Sequence, residues 1–174
     1  ANGWTSLTSD AATDFVNGLT AASIMSTGGM KTILESTSTF EVGTAFLPEG
    51  PAGFGCCTGG SGLSILAGSA DEKKAAAWEF VKFTSTPENT TWWSQNTGYM
   101  PVRKSAVDSE SMQAFYVERP TFKTAVEQLA LTKPQDPARI YVPNGLQTLN
   151  GALEAITVNL EDVQATFDDA AATP

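Results

Sequence analysis

Ala77-Trp78-Glu79-Phe80-Val81-Lys82-Phe83, followed by Thr86-Pro87-Glu88 and then by Thr97-Gly98-Tyr99-Met100-Pro101-Val102-Arg103, is the stretch on which the reading of this chain turns. Ahead of it, Ser69-Ala70-Asp71-Glu72 has the form of a capping box, a hydroxyl residue followed three positions later by a glutamate. Ala76, Trp78, Phe80, Val81 and Phe83 then supply the apolar side of a helix that ends near Thr84. Thr86 suits the cap of a second helix, and Pro87 suits its first position, where a missing N–H costs nothing. Gly98 stops that helix. Trp92 and Trp93 ride on it, and because adjacent helical residues diverge, one is expected to pack inward and the other to lie at an edge.

Working outward, the amino-terminal side alternates helix and strand signals. Asp10, Phe15, Val16 and Leu19 have helical spacing, and the pattern stops at Gly18 to Thr20. The small apolar run Ala21 to Ser26 predicts a buried strand that opens at Gly28-Gly29 into a second helix, and Thr39 to Leu47 predicts another strand. Pro48 to Gly55 is a turn-rich connection, after which Leu63 to Leu66 predicts a third, buried strand. On the carboxy-terminal side the spacing predicts helices over Ser109 to Glu118, Thr121 to Leu131, Asn144 to Val158 and Glu161 to Ala171, with a proline-rich interval from Pro134 to Pro143. The class is α/β and helix-rich.

Composition removes several functions. The chain has 174 residues, 41% of them hydrophobic, enough for an ordinary core. Ten basic against 19 acidic residues leave a net charge of -9, which repels nucleic acid phosphates and anionic membrane surfaces. No apolar run approaches the roughly 18 residues that span a bilayer. There is no histidine, and with it go the usual general base, the usual zinc nitrogen ligand and every Ser-His or Cys-His pair. Glu161-Asp162 and Asp168-Asp169 read as a solvated helix face, and no segment has calcium-loop spacing. No metal and no cofactor is expected.

Three passages fall into one order: Phe40-Glu41-Val42-Gly43-Thr44-Ala45-Phe46-Leu47-Pro48, then Gly59-Gly60 before an apolar run, then the central stretch quoted above. Together they closely resemble the family-1 extracellular solute-binding proteins of ABC importers, especially the branch that takes glycerol-3-phosphate and sugar ligands. The resemblance implies the carboxy-terminal portion of a two-lobed periplasmic-binding-protein-like (type II) fold of roughly 400 residues, well beyond a single domain. It implies that residues 1–58 form the first part of the carboxy-terminal lobe, that 59–108 hold hinge crossings and a segment of the other lobe, and that 109–174 complete the carboxy-terminal lobe. It further implies export, to the periplasm or as a cell-surface lipoprotein, and a membrane permease as partner.

A hydroxyl-rich ligand needs fixed hydrogen-bond partners and an aromatic face for its C–H surfaces. Ser26 and Thr27 stand just before Gly28-Gly29, where hydroxyls and amides can face a cleft or merely form a turn. Gly59, Gly60 and Ser61 allow close backbone approach, of a ligand or of another segment. Tyr99 matches a position that similar proteins use as a ligand contact; the alternative is a tyrosine that packs the hinge. Asn144 and Gln147 stand at a helix start, whose free amides attract ligand oxygens. Phosphate-binding relatives place an arginine in that turn, whereas here the nearest is Arg139, and this departure favours a neutral sugar, a polyol or a phosphodiester over a phosphate dianion.

Competing readings are a sensory or adhesive module of the same fold and a hydrolase built on Ser26 or Ser61 with a carboxylate, the latter without histidine or a Gly-x-Ser-x-Gly elbow. Cys56 and Cys57 are adjacent, a spacing that closes a disulfide ring only through a strained backbone, so two buried thiols, or pairing with a segment elsewhere, is expected. The apolar residues Trp78, Phe80, Val81, Phe83, Trp92 and Trp93 belong to helices that in similar proteins pack on a lobe outside this chain. Self-association through residues 69–100 is therefore expected of the chain alone.

Overall fold

Helices form where their start and stop signals stand. The computed structural model describes residue 8, residues 10–135, residue 137 and residues 141–172. In chain order the helices are α1 (Ala11–Val16), α2 (Met30–Ser36), α3 (Asp71–Thr84), α4 (Pro87–Thr97), α5 (Lys104–Val107), α6 (Glu110–Glu118), α7 (Thr124–Gln128), α8 (Gly145–Thr157) and α9 (Val163–Ala172). Short 3-10 turns occupy Thr27–Gly29, Pro120–Phe122 and Leu129–Leu131, so the single helix expected over Thr121 to Leu131 is broken into three pieces. At α4 the Thr86 hydroxyl accepts the Asn89 N–H at 3.3 Å, Pro87 takes the first turn and Gly98 ends the helix in the left-handed region at φ 117°. Ser109 caps α6 by accepting the Met112 N–H at 3.2 Å, and Asp162 accepts the Ala165 N–H at 2.9 Å at the start of α9.

The core is small and lies under α6. Met112 and Tyr116, one turn apart on the same face, pack with Phe122, while Met30 and Leu34 of α2 and Val126 of α7 close around them. Phe115 meets Phe122 edge-on with ring centroids 4.9 Å apart. α2 lies against α4, and α4 against α5 and α6. Two polar links cross these contacts: Lys31 Nζ donates to Asn96 Oδ1 at 3.2 Å, and Gln95 Nε2 donates to the Ser111 hydroxyl at 3.3 Å. The Tyr116 hydroxyl is buried and meets no hydrogen-bond partner, and the loss of solvation pushes its pKa up to about 12. α8 and α9 pack on each other.

The three expected strands do not form ladders. Among the described residues the only strand-like pairings are isolated bridges, Gly50 with Gly53 and Cys57 with Lys133. A strand leaves its N–H and C=O groups pointing sideways, so it exists only where a second strand takes them, and these segments have no such neighbour. Ala21 to Ser26 and Leu63 to Leu66 are accordingly open to solvent rather than buried. The Thr39 to Leu47 segment is held instead by side chains: the Thr44 hydroxyl lies 2.7 Å from that of Thr124, and Gln128 Oε1 accepts the Leu47 N–H at 3.4 Å. Further along, the Cys56 carbonyl accepts the Lys133 N–H at 2.8 Å, and the Thr58 carbonyl accepts from Gln135 Nε2 at 3.1 Å.

Three local expectations are corrected. The cap residue of α3 is Ala70 rather than Ser69, with no side-chain bond, so the capping box is not made; Asp71 and Glu72 instead place negative charge on the first turn. Trp92 and Trp93 are both exposed, at 61% and 53%, because the buried side of α4 consists of the small residues Thr90, Thr91 and Ser94, which allow close helix approach. Cys56 and Cys57 are free thiols, as expected, but Cys56 is half-buried and Cys57 exposed, so they are not a buried pair.

Candidate ligand-binding site

Expected site residues meet at the carboxy-terminal end of α4. Gly98 has φ 117°, where any side chain is strained, and the position its Cβ would take is filled by the carbonyl oxygen of Thr27 and, 2.6 Å away, by Cβ of Met30. One residue on, the hydroxyl end of the Tyr99 ring lies against Gly28: a Cβ there would stand 2.5 Å from ring carbon Cζ and 2.9 Å from the hydroxyl oxygen. Ser26 Oγ accepts the Gly28 N–H at 3.3 Å and caps the turn at Thr27–Gly29. Ser26, Thr27 and Tyr99, far apart in sequence, thus share one place.

The arrangement offers hydroxyl and aromatic chemistry. The Tyr99 backbone N–H is taken by the Thr97 hydroxyl at 3.1 Å, which fixes the turn, while the residue is 36% exposed and its phenol bonds no described residue. An exposed phenol and a serine hydroxyl beside an aromatic face can bond the oxygens of a polyol or phosphate ester and cover its C–H surface. In sequence Gly28 reads only as a loop residue and Gly98 only as a stop signal. The order Thr97-Gly98-Tyr99 after a helix announced a left-handed cap, but a partner so distant along the chain has no local signature.

The other expected residues stand apart from this meeting point. Gly59, Gly60 and Ser61 are exposed in an irregular segment, and nothing is packed where a Cβ of either glycine would sit. Asn144 is the cap residue of α8, at φ 57°, but its side chain makes no cap bond, and Gln147 is exposed on the first turn. Among the described residues no hydrogen bond, ion pair or ring contact joins these five to Ser26 or Tyr99. Arg139 lies outside the described residues. A shallow groove of about 270 Å³ between α4 and α6, lined by Glu88, Trp92, Gln95 and Ser111 among others, contains none of the expected set. No group of three or more metal-ligating side chains occurs among the described residues.

Residues 1–124 match the model of a family described as bacterial extracellular solute-binding protein. The chain belongs to this family. Similar members include the sn-glycerol-3-phosphate-binding periplasmic protein UgpB of Escherichia coli K12, 33% identical over 127 residues, which are 71% of this chain and 28% of that protein. The protein of the same name from Rhizobium meliloti is 28% identical over 167 residues, 94% of this chain and 39% of its own length. A crystal structure of UgpB from Mycobacterium tuberculosis in complex with glycerophosphocholine superimposes with a TM-score of 0.85 at 40% identity, covering 93% of this chain and 41% of that one. The chain therefore has the fold of part of a periplasmic binding protein and spans about a quarter to two-fifths of the relatives it matches. These relatives are named for solute binding and not for catalysis.

Proposed function

We propose that this chain is part of the substrate-binding component of an ABC importer and takes a glycerol-phosphate-type or related polyol ligand. One observation carries the reading: its fold matches, at TM-score 0.85, a protein whose structure holds glycerophosphocholine. The convergence of Ser26, Thr27 and Tyr99 supports a ligand contact there, and Gly59, Gly60, Ser61, Asn144 and Gln147 complete the set in the two-lobed protein. Residues 1–58 and 109–174 then belong to the carboxy-terminal lobe and 59–108 to the hinge and the other lobe, with a membrane permease as the partner and the periplasm or outer cell surface as the place. No helix among the described residues is long and apolar enough to cross a membrane. The relatives are named periplasmic, which supports export.

Calorimetric titration of the two-lobed protein with glycerophosphocholine, sn-glycerol 3-phosphate and a neutral disaccharide tests the ligand class. Glycerophosphocholine is expected to bind, and the phosphate monoester to bind no better, given Leu146 and Gln147 where phosphate-binding relatives carry an arginine. Binding of none of the glycerol compounds would overturn the reading. The chain alone is expected to self-associate through residues 69–100, because Trp78, Phe80, Phe83, Trp92 and Trp93 are all more than half exposed. Light scattering over a concentration series reads this directly, and a monomer at every concentration would refute it.

A further inference from the structure

We infer that Gly28 and Gly98 are positioning residues that dock Tyr99 onto the Ser26–Gly28 turn, so that this wall of the site is assembled before any ligand arrives. The inference rests on the ligand-site reading of Ser26 and Tyr99 and adds to it what places them. Gly98 does so by backbone: its left-handed φ of 117° ends α4, and the lack of a Cβ lets the chain pass against the Thr27 carbonyl and Met30. Gly28 does so by vacancy: the space its side chain would fill is the space in which the Tyr99 ring lies, with Cζ, Cε2 and the hydroxyl 2.5, 2.7 and 2.9 Å from that point. Further contacts hold the same seam. Lys31 Nζ donates to Asn96 Oδ1 at 3.2 Å, and the Thr97 hydroxyl accepts the Tyr99 N–H at 3.1 Å.

The two glycines differ in how they can be broken. A methyl group at residue 98 meets backbone, a carbonyl oxygen that can move only with the whole turn, and adds the strain of a left-handed conformation. A methyl group at residue 28 meets only the far end of a tyrosine ring, which can swing away into solvent, and Gly28 itself has no positive φ. Gly28→Ala is therefore the clean probe: it displaces the ring without unfolding the turn. Gly98→Ala undoes the docking itself. The seam is complete within this chain and without a ligand, and preorganisation of this kind lowers the ordering cost of binding.

The experiment is a double-mutant cycle in the two-lobed protein, with glycerophosphocholine as the probe. Gly28→Ala is expected to weaken binding about tenfold or more with its melting temperature nearly unchanged, and Tyr99→Ala to weaken it similarly. In the Tyr99→Ala background, Gly28→Ala is expected to have no further effect, since no ring remains to displace. A separate reading without ligand is the proton spectrum of Gly28, which should show a ring-current shift that Tyr99→Ala abolishes. With the ring-current shift present, additive binding effects would show that Gly28 does not act through Tyr99 and would overturn the inference, whereas no effect of either change would show that Tyr99 is not a ligand contact. An absent shift in the wild-type protein would overturn the docking itself, whatever the binding data show.

Discussion

The region from Met30 through Leu131, leaving out the connection between α2 and α3, and the connection itself, residues 37–70, have similar shares of apolar residues but different fates. In the first, each helix closes its own backbone hydrogen bonds, so α4 and α6 form from local signals and then bury what they can, down to Met112 at 1% exposure. In the second, an extended backbone has no internal partners, and Phe40, Phe46, Leu63 and Leu66 remain exposed although they look like strand residues. Helices are self-sufficient in hydrogen bonding and strands are not. The described residues therefore keep their helices and leave the connection extended, held by point contacts such as Thr44 with Thr124.

The hardest blow to this contrast would fall on the helical region. Met112→Ala empties the centre of the only buried cluster among the described residues and is expected to cost about 2–5 kcal/mol, read as a lowered urea midpoint at unchanged slope. Loss of less than about 1 kcal/mol would mean that the cluster under α6 is not what holds the chain, and the distinction between the two regions would fail.

Much of the helical region was legible. Thr86-Pro87 with Gly98, and Ser109 before α6, are signals whose partners lie within one turn, so reading them needs nothing from the rest of the molecule. Where the needed partner is distant, reading failed in a physical way: the runs Ala21 to Ser26 and Leu63 to Leu66 have strand composition without strand neighbours, and Trp92 and Trp93 read as core or edge without knowledge that α4 buries Thr90, Thr91 and Ser94 instead. At the site, Ser26, Thr27 and Tyr99 were named from the sequence and the structure brings them together, while the glycines that let them meet were seen only as punctuation. Asn144 and Gln147 lie on the α8–α9 pair, which packs mainly on itself, and so stay apart from that meeting point.

A finer test asks how far local signals alone support the helical region. Ser109→Ala removes the hydroxyl that accepts the Met112 N–H and is expected to cost about 1 kcal/mol. The same change at Ser69, which reads as a cap in sequence but makes no cap bond, is expected to cost nothing measurable. Equal losses at both positions, by urea denaturation, would show that the α3 cap forms in solution after all.

Tyr116 sharpens the contrast through pH. Its folded pKa is about 12, raised by burial from the ordinary 10.0, so the unfolded chain releases this proton first. The contribution is fully present below pH 10 and is lost as the pH rises toward 12, because the folded state resists making a buried phenolate. Tyr116→Phe removes that part of the alkaline decline. It also removes a buried hydroxyl without a partner, so at neutral pH it is expected to be neutral or to stabilise by up to about 1 kcal/mol. The difference between the two denaturation series against pH isolates this residue from the lysines and other tyrosines, and identical slopes would place the phenol in water.

The smallest expected effect tests the connection. Leu66 is 75% exposed and Leu63 59%, in a segment with no ladder partner, so a serine at either position removes little apolar surface from any contact. Each change is expected to fall within about 0.5 kcal/mol, the range of ordinary surface substitutions. Were these residues part of a buried strand in the chain, the cost would be several-fold larger, because a deeply buried leucine side chain is worth about 1.5–3 kcal/mol by transfer alone. Amide exchange provides the second axis: residues 60–66 should exchange at nearly unprotected rates while the amides of α6 are protected. Protection at 60–66 that depends on protein concentration would mean that a second copy supplies the missing neighbour, at a surface other than the aromatic face of α3 and α4.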